Sequence, residues 1–385
     1  MAGFLVIVGL TGSLLAFYDE LDRWLCPELY AQARTDVPRL DIAALAEHAE
    51  RLAPKALVTA VYFRTPDRVE VSVKARPGRH GQTNAIAYDT LILDPYTGAE
   101  LGRRTWGAIS EGRVNIMPFI YVLHYELALG KVGLWTLGIV ALIWTLDCFI
   151  GLYLTLPAGR TGRKPFMQRW APAWRIKRKA SPTRFNFDLH RAGGLWLWLV
   201  LLVFAWSSVY MNLYDTVYTW STRALMDYRP YWAVMEKLPR PQTQPGLTWR
   251  AAQARGEALM QAEAQARGFT VLAPSRLSYD AKTAQFNYRV RSSIDIQDRR
   301  GRSMIFFDGN TGALSHVELP SGQYAGNTVT TWLASLHMAN VFGLPWRIFV
   351  CVLGWLVVGL SVTGVLIWLR KRQSARANTR VPGVI

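Results

Sequence analysis

The chain has 385 residues, of which 51% are hydrophobic and only 18% charged, below the roughly 25% usual for soluble domains. That composition excludes a disordered or collagen-like chain, and three cysteines exclude a disulfide framework. The 44 Lys and Arg outnumber the 27 Asp and Glu, an excess that points to nucleic acid, an anionic membrane face or a topology signal.

The chain opens on Ala2–Tyr18, 17 residues without a charge. It lacks a positive leading region and an A-x-A cleavage site, so it reads as a spanning helix rather than a signal peptide. Residues 19–123 follow as a first external α+β module. Asp41–Leu52 has helical spacing. Leu57–Phe63, Arg68–Ala75 and Ala87–Leu93 have strand patterning, and D-P-Y-T-G (94–98) supplies a turn. Next comes an interfacial segment from His124 and a second span, Val132–Leu156, whose one charge is Asp147. Asp147 reads as a buried hydrogen-bond partner, a lipid-edge residue or a structural accident.

Residues 157–191 form a basic loop, with ten Lys/Arg (Arg160, Arg163, Lys164, Arg169, Arg175, Lys177, Arg178, Lys179, Arg184 and Arg191) against Asp188. Ala192–Tyr214 is a third span. Residues 215–336 make a second external module, with a helix over Thr248–Arg267 and strands at Leu277–Tyr279, Gln285–Val290 and Ser303–Asp308. A second interfacial segment from His337 leads to a fourth span, Ile348–Leu369. The tail, 370–385, adds Arg370, Lys371, Arg372, Arg376 and Arg380. The basic residues sit in short juxtamembrane segments, so a nucleic-acid reading fails. The positive-inside bias places the 157–191 loop and both termini in the cytoplasm, and the modules outside.

The chain is one unit written twice. LDPYTGA (93–99) matches FDGNTGA (307–313), LHYELALG (123–130) matches LHMANVFG (336–343), and Gly151 matches Gly364. AFYDELD (16–22) matches NLYDTVY (212–218). Each unit is helix, external module, helix. Two spans return the chain to its starting side, so the units share one orientation about a pseudo-two-fold along the membrane normal. The expected class is a four-helix membrane protein carrying two external α+β modules.

This plan resembles the PepSY-associated transmembrane proteins. A helix followed by strands ending in D-x-x-T-G-x (Asp94–Gly98, Asp308–Gly312) looks like the PepSY module. Length, repeat and histidine placement are similar to the ferric-siderophore reductases of the FoxB type. The resemblance implies an inner-membrane haem protein that passes electrons to ferric siderophore in the periplasm.

The chain has six histidines. His48, His80 and His316 read as solvated surface residues. His124 and His337 are repeat mates, each six residues before a glycine and just outside a span. His190 opens the third span at its cytoplasmic end. Ionisable groups at a membrane boundary are functional candidates. Zinc wants three or four ligands, and no Cys or acid cluster accompanies these imidazoles. Copper stays open but lacks Met or Cys neighbours. Haem needs one or two axial ligands and an apolar slot between helices. With no C-x-x-C-H, such a haem is b type, one or two per chain, with His124, His337 and His190 as axial ligands and His124 paired with His337. The rival arrangement gives those two different haems, and the plainer reading of each is an interfacial histidine that bonds lipid headgroups. The repeat places a partner for His190 at a position ahead of Met1, so the natural reading frame is expected to begin earlier.

No Ser-His-Asp, H-E-x-x-H, Walker or G-x-G-x-x-G signature is present. The electron donor is therefore another cytoplasmic or membrane component. Most of the sixteen Trp and sixteen Tyr read as interfacial belts. The aromatic stretch 214–232 reads as a cap over a substrate site or as a membrane-resting segment. Competing readings are a non-enzymatic module that binds a peptide or peptidase, and a transporter.

Overall fold

The computed structural model describes residues 1–34, 36–76, 85–159 and 164–378. His80 and the arginines at 160, 163 and 380 lie outside them. In chain order the first elements are α1 (Ala2–Leu15), α2 (Tyr18–Leu25), α3 (Ile42–Leu52), β1 (Ala56–Thr65), β2 (Arg68–Ala75), β3 (Thr90–Leu93) and β4 (Glu100–Arg104). They lead to α4 (Ile116–Glu126), α5 (Lys131–Thr155), α6 (Phe166–Trp170), α7 (Pro182–Asn212) and α8 (Thr219–Leu225). The remainder is α9 (Trp249–Arg267), β5 (Val271–Asp280), β6 (Gln285–Ser292), β7 (Ser303–Asp308), β8 (Leu314–Glu318), α10 (Ala325–His337) and α11 (Gly343–Asn378). The chain forms two compact units. One is helical (1–16, 123–218, 344–385) and the other carries the sheet (17–122, 219–343).

In the helical unit, α5, α7 and α11 are long and apolar enough to cross a membrane. The expected first span is shorter than its 17 apolar residues. Its helix ends at Leu15, and α2 leaves at 74°. Fourteen residues reach about 21 Å, against about 30 Å of hydrocarbon. The described residues therefore hold three candidate spans, or four if the bent pair counts as one. Arg347, buried on α11, donates from Nε to the Ala16 carbonyl at 2.8 Å and closes the end of α1.

Small residues let α1 and α11 approach closely. A Cβ on Gly9 would stand 2.7 Å from the Gly354 oxygen, and one on Gly354 would stand 2.4 Å from the Gly9 oxygen. Ser13 donates to the Cys351 carbonyl at 2.8 Å. Leu5, Val140, Cys148, Leu201, Leu353 and Val357 draw α1, α5, α7 and α11 into one apolar cluster. Asp147 is half-exposed on α5 and has no hydrogen-bond or ion-pair partner among the described residues, which removes the hydrogen-bonded reading and leaves the other two. Among the described residues of this unit the buried acid is Asp188, 2.9 Å from Arg191 and 3.0 Å from Arg184.

In the other unit the two expected modules merge into one antiparallel sheet of eight strands, ordered β4-β3-β2-β1-β5-β6-β7-β8. The first strands of the two repeats pair directly, Val61 opposite Leu277. One face meets α3 and α9 in a single core that includes Val61, Val71, Leu277, Phe286 and Phe307. Each repeat has a fourth strand (β4, β8) that patterning did not reveal. Asp41 and Thr248 cap the two helices, accepting from Ala44 N and Ala251 N.

The D-x-x-T-G turns have a shared physical cause. Asp94 accepts from Tyr96 N at 2.7 Å, and Asp308 from Thr311 N at 2.7 Å. Gly98 and Gly312 follow at φ +70° and +73°, left-handed backbone that favours glycine. A side chain from the helix covers each glycine: His48 in the first repeat, and Arg255 in the second, whose Nε donates to Gly312 O at 2.7 Å. His48 is thus half-buried rather than solvated. His316 is likewise half-buried, with Nε2 enclosed and without a hydrogen-bond partner among the described residues.

Candidate functional site

His124 lies near the end of α4, and His190 in the first half of α7. Both belong to the helical unit. His337 ends α10 and belongs to the sheet-bearing unit. After each repeat-mate histidine the helix stops on left-handed residues, Leu127 and Ala128 in one case and Ala339 and Phe342 in the other. Gly130 and Gly343, at φ +57° and +63°, then admit the next helix. Gly133 makes the first break possible, since a Cβ there would stand 1.7 Å from the Glu126 oxygen.

His190 is held through one nitrogen. Nδ1 lies 3.1 Å from the Leu360 carbonyl oxygen and 3.0 Å from Thr363 Oγ1. A carbonyl only accepts, so Nδ1 carries the proton and donates. Nε2 then presents its lone pair and forms no hydrogen bond among the described residues. Thr363 spends its own hydroxyl proton on the Gly359 or Leu360 carbonyl, each 2.9 Å away. Gly364 packs on the ring, where an added Cβ would sit 3.1 Å from Cε1.

His124 is held in the same way by a different helix. Nδ1 lies 2.9 Å from Thr11 Oγ1, and Thr11 donates to the Ile7 carbonyl at 2.7 Å. The hydroxyl therefore accepts, and Nδ1 is again the protonated nitrogen. Gly12 packs on the ring with the same clearance, 3.0 Å from an added Cβ to Cε1.

Each imidazole in the helical unit thus rests on a Thr-Gly dipeptide, Thr11-Gly12 or Thr363-Gly364. These two dipeptides are not repeat mates. Gly151, the repeat mate of Gly364, faces open space. Thr11 lies between Gly9 and Ser13, hence level with Cys351 and Gly354 on α11. Thr363 is about nine residues further along, so the two anchors are about 14 Å apart along that helix.

An imidazole whose Nδ1 carries a fixed proton keeps its lone pair on Nε2, the form that an axial metal ligand requires. Among the described residues no group of three or more His, Cys, Asp or Glu is placed to hold a metal ion. The donor set is therefore single imidazoles in apolar surroundings, which fits a planar cofactor with its own four equatorial nitrogens. The Thr-Gly cradles escaped the sequence reading, although T-G stands in both LTGS and SVTG.

A search of curated proteins returns no match. The family model described as "PepSY-associated TM region" matches residues 1–371. That match covers both halves of the repeat, the three candidate histidines and all of the sheet. With apolar helices long enough to span, it makes this a multi-pass membrane protein. The chain belongs to the PepSY-associated transmembrane family.

Proposed function

We propose that the protein is a b-type haem electron conduit that reduces ferric siderophore on the periplasmic side of the inner membrane. The observation that carries this reading is the donation from His190 Nδ1 to the Leu360 carbonyl, which leaves Nε2 as a ligand. His124 repeats it through Thr11, and His337 is its repeat mate. When bound, haem supplies a one-electron couple. The chain's own contribution is to fix two imidazole tautomers at separated levels of an apolar bundle and to keep water from them. The basic loop and both termini then face the cytoplasm, where a separate donor delivers electrons. One electron converts the ferric chelate to ferrous, which hard oxygen ligands hold less well.

The test is a visible spectrum of the purified protein, followed by reoxidation. A Soret band is expected, and dithionite-reduced protein should be reoxidised by a ferric chelate while ferrozine captures Fe(II). A colourless preparation that stays so with added haemin would favour a peptide-binding module. Reduced haem that persists beside a panel of ferric chelates would remove the reductase reading.

A further inference from the structure

One rung of the sheet crosses all eight strands: Gly102, Ile92, Glu70, Tyr62, Arg276, Arg289, Met304 and Glu318. Directly paired residues share a face, and this is the face away from α3 and α9. At its centre Arg276 and Arg289 stand directly opposite each other. Like charges in that position repel. Neither forms an ion pair with any carboxylate among the described residues, and the Nε of each is enclosed without a hydrogen-bond partner.

The neighbourhood adds like charge close by, while the carboxylates of Asp295 and Glu318 feel the Arg289 charge without pairing with it. Burial, Arg276 and Arg302 together push the Arg289 guanidinium down to about 10, and burial also lowers Arg276. Glu318 is two strands from Arg289, and its Oε2 accepts from Tyr231 N at 3.0 Å. Tyr231 stacks on Phe306 of the same face, with centroids 4.8 Å apart, so the end of the aromatic 214–232 stretch lies over this side of the sheet.

The internal repeat supplies a control. In the first half the equivalent cross-strand pair is Ala60 and Ser72. The fold is built there without any charge, so it does not require arginine at this place. The other buried arginines on this face are matched: Arg68 pairs with Asp22 and Glu70, and Arg104 with Asp22.

We propose that Arg276 and Arg289 form a binding site for a ligand carrying two or more oxyanion groups, carboxylate or phosphate. Paired guanidinium forks present donors at the spacing that such groups accept. The source is either a soluble anionic chelate or a phospholipid headgroup. The proposal does not depend on haem.

The test uses the full chain in neutral detergent, with citrate as probe, read by calorimetry and thermal melting at low ionic strength. Citrate should bind and raise the melting temperature. Arg276→Gln and Arg289→Gln should each weaken binding by about tenfold or more, and Arg250→Gln, an equal charge change on the exposed helix face, should not. Without citrate, Arg289→Gln should melt no lower than the parent, because it relieves repulsion. Reconstitution in phosphatidylglycerol against phosphatidylcholine separates the sources. Loss of the citrate effect only in phosphatidylglycerol assigns the site to a headgroup, and equal citrate binding in both assigns it to a soluble chelate. Equal weakening by all three variants would overturn the proposal. So would an Arg289→Gln protein that melts lower yet keeps its full citrate shift, or a parent that responds to neither citrate nor phosphatidylglycerol.

Discussion

His190 Nδ1 donates to the carbonyl oxygen of Leu360, 3.1 Å away on the neighbouring membrane helix. That contact links the tautomer of one side chain to the packing of two helices. The glycine four residues on, Gly364, sets how closely the ring approaches.

Gly364→Val should therefore displace the imidazole without removing it. The added Cβ alone reaches 3.1 Å from Cε1, and valine's methyls go further. Haem per protein, from the Soret band against total protein, should fall towards the value for His190→Ala. Helix content by circular dichroism should hold. Haem loading equal to the parent in both variants would remove His190 from the ligand set.

Thr11→Val removes the hydroxyl acceptor beside His124 Nδ1 while preserving volume. An outer partner of this kind changes metal affinity by about 10–100-fold, so haem should leave the variant more readily. The expected readout is faster haem transfer to apomyoglobin and a shifted reduction potential. A parent-like rate and potential would make the Thr11 contact merely structural.

His124→Ala and His337→Ala should abolish the same spectroscopic species if the pair shares one haem. The double variant should then lose no more haem than either single. Additive losses in the double variant would assign the two histidines to different haems.

Asp22 is fully buried between Arg68 and Arg104, and it accepts from Tyr30 Oη at 3.1 Å. Asp22→Ala leaves buried guanidinium charge without its counter-ion, at a cost of about 3–5 kcal/mol. The sheet-bearing unit should unfold at markedly lower denaturant concentration, by tryptophan fluorescence. A midpoint within error of the parent would refute the coupling.

Backbone donation from Thr311, then from Asn310, holds the Asp308 carboxyl below its ordinary 3.8. A depressed folded value means that this stability is present above pH 3.8 and is lost as pH falls through the folded value. Melting temperature should thus decline more steeply below pH 4 in the parent than in Asp308→Asn, which accepts the same bonds without titrating. Parallel curves would dismiss the contribution.

Much of this protein was legible in its sequence, for reasons of period and solvent. Three long apolar runs (within Lys131–Thr155, Pro182–Asn212 and Gly343–Asn378) define helices because hydrocarbon forces every backbone group to bond internally. The α3 and α9 caps, β2 and β7 follow from local rules that need no tertiary partner. The repeat was visible because its turns need Asp, Thr and Gly at fixed places. What only tertiary structure decided involves residues far apart in the chain. The joining of β1 to β5 buries both repeats in one core, and no local pattern encodes which edges meet. β4 (ELGRR) and β8 (LSHVE) hold too few apolar residues to show an alternation, and pairing with β3 and β7 makes them strands. The end of α1 depends on Arg347, more than 300 residues away. The Thr-Gly cradles and the Arg276–Arg289 pair likewise exist only once helices and strands are in register. The sequence named the candidate imidazoles, because ionisable groups are rare beside a membrane. Which nitrogen each one offers is fixed by a carbonyl or hydroxyl on another helix, a contact that folding alone creates.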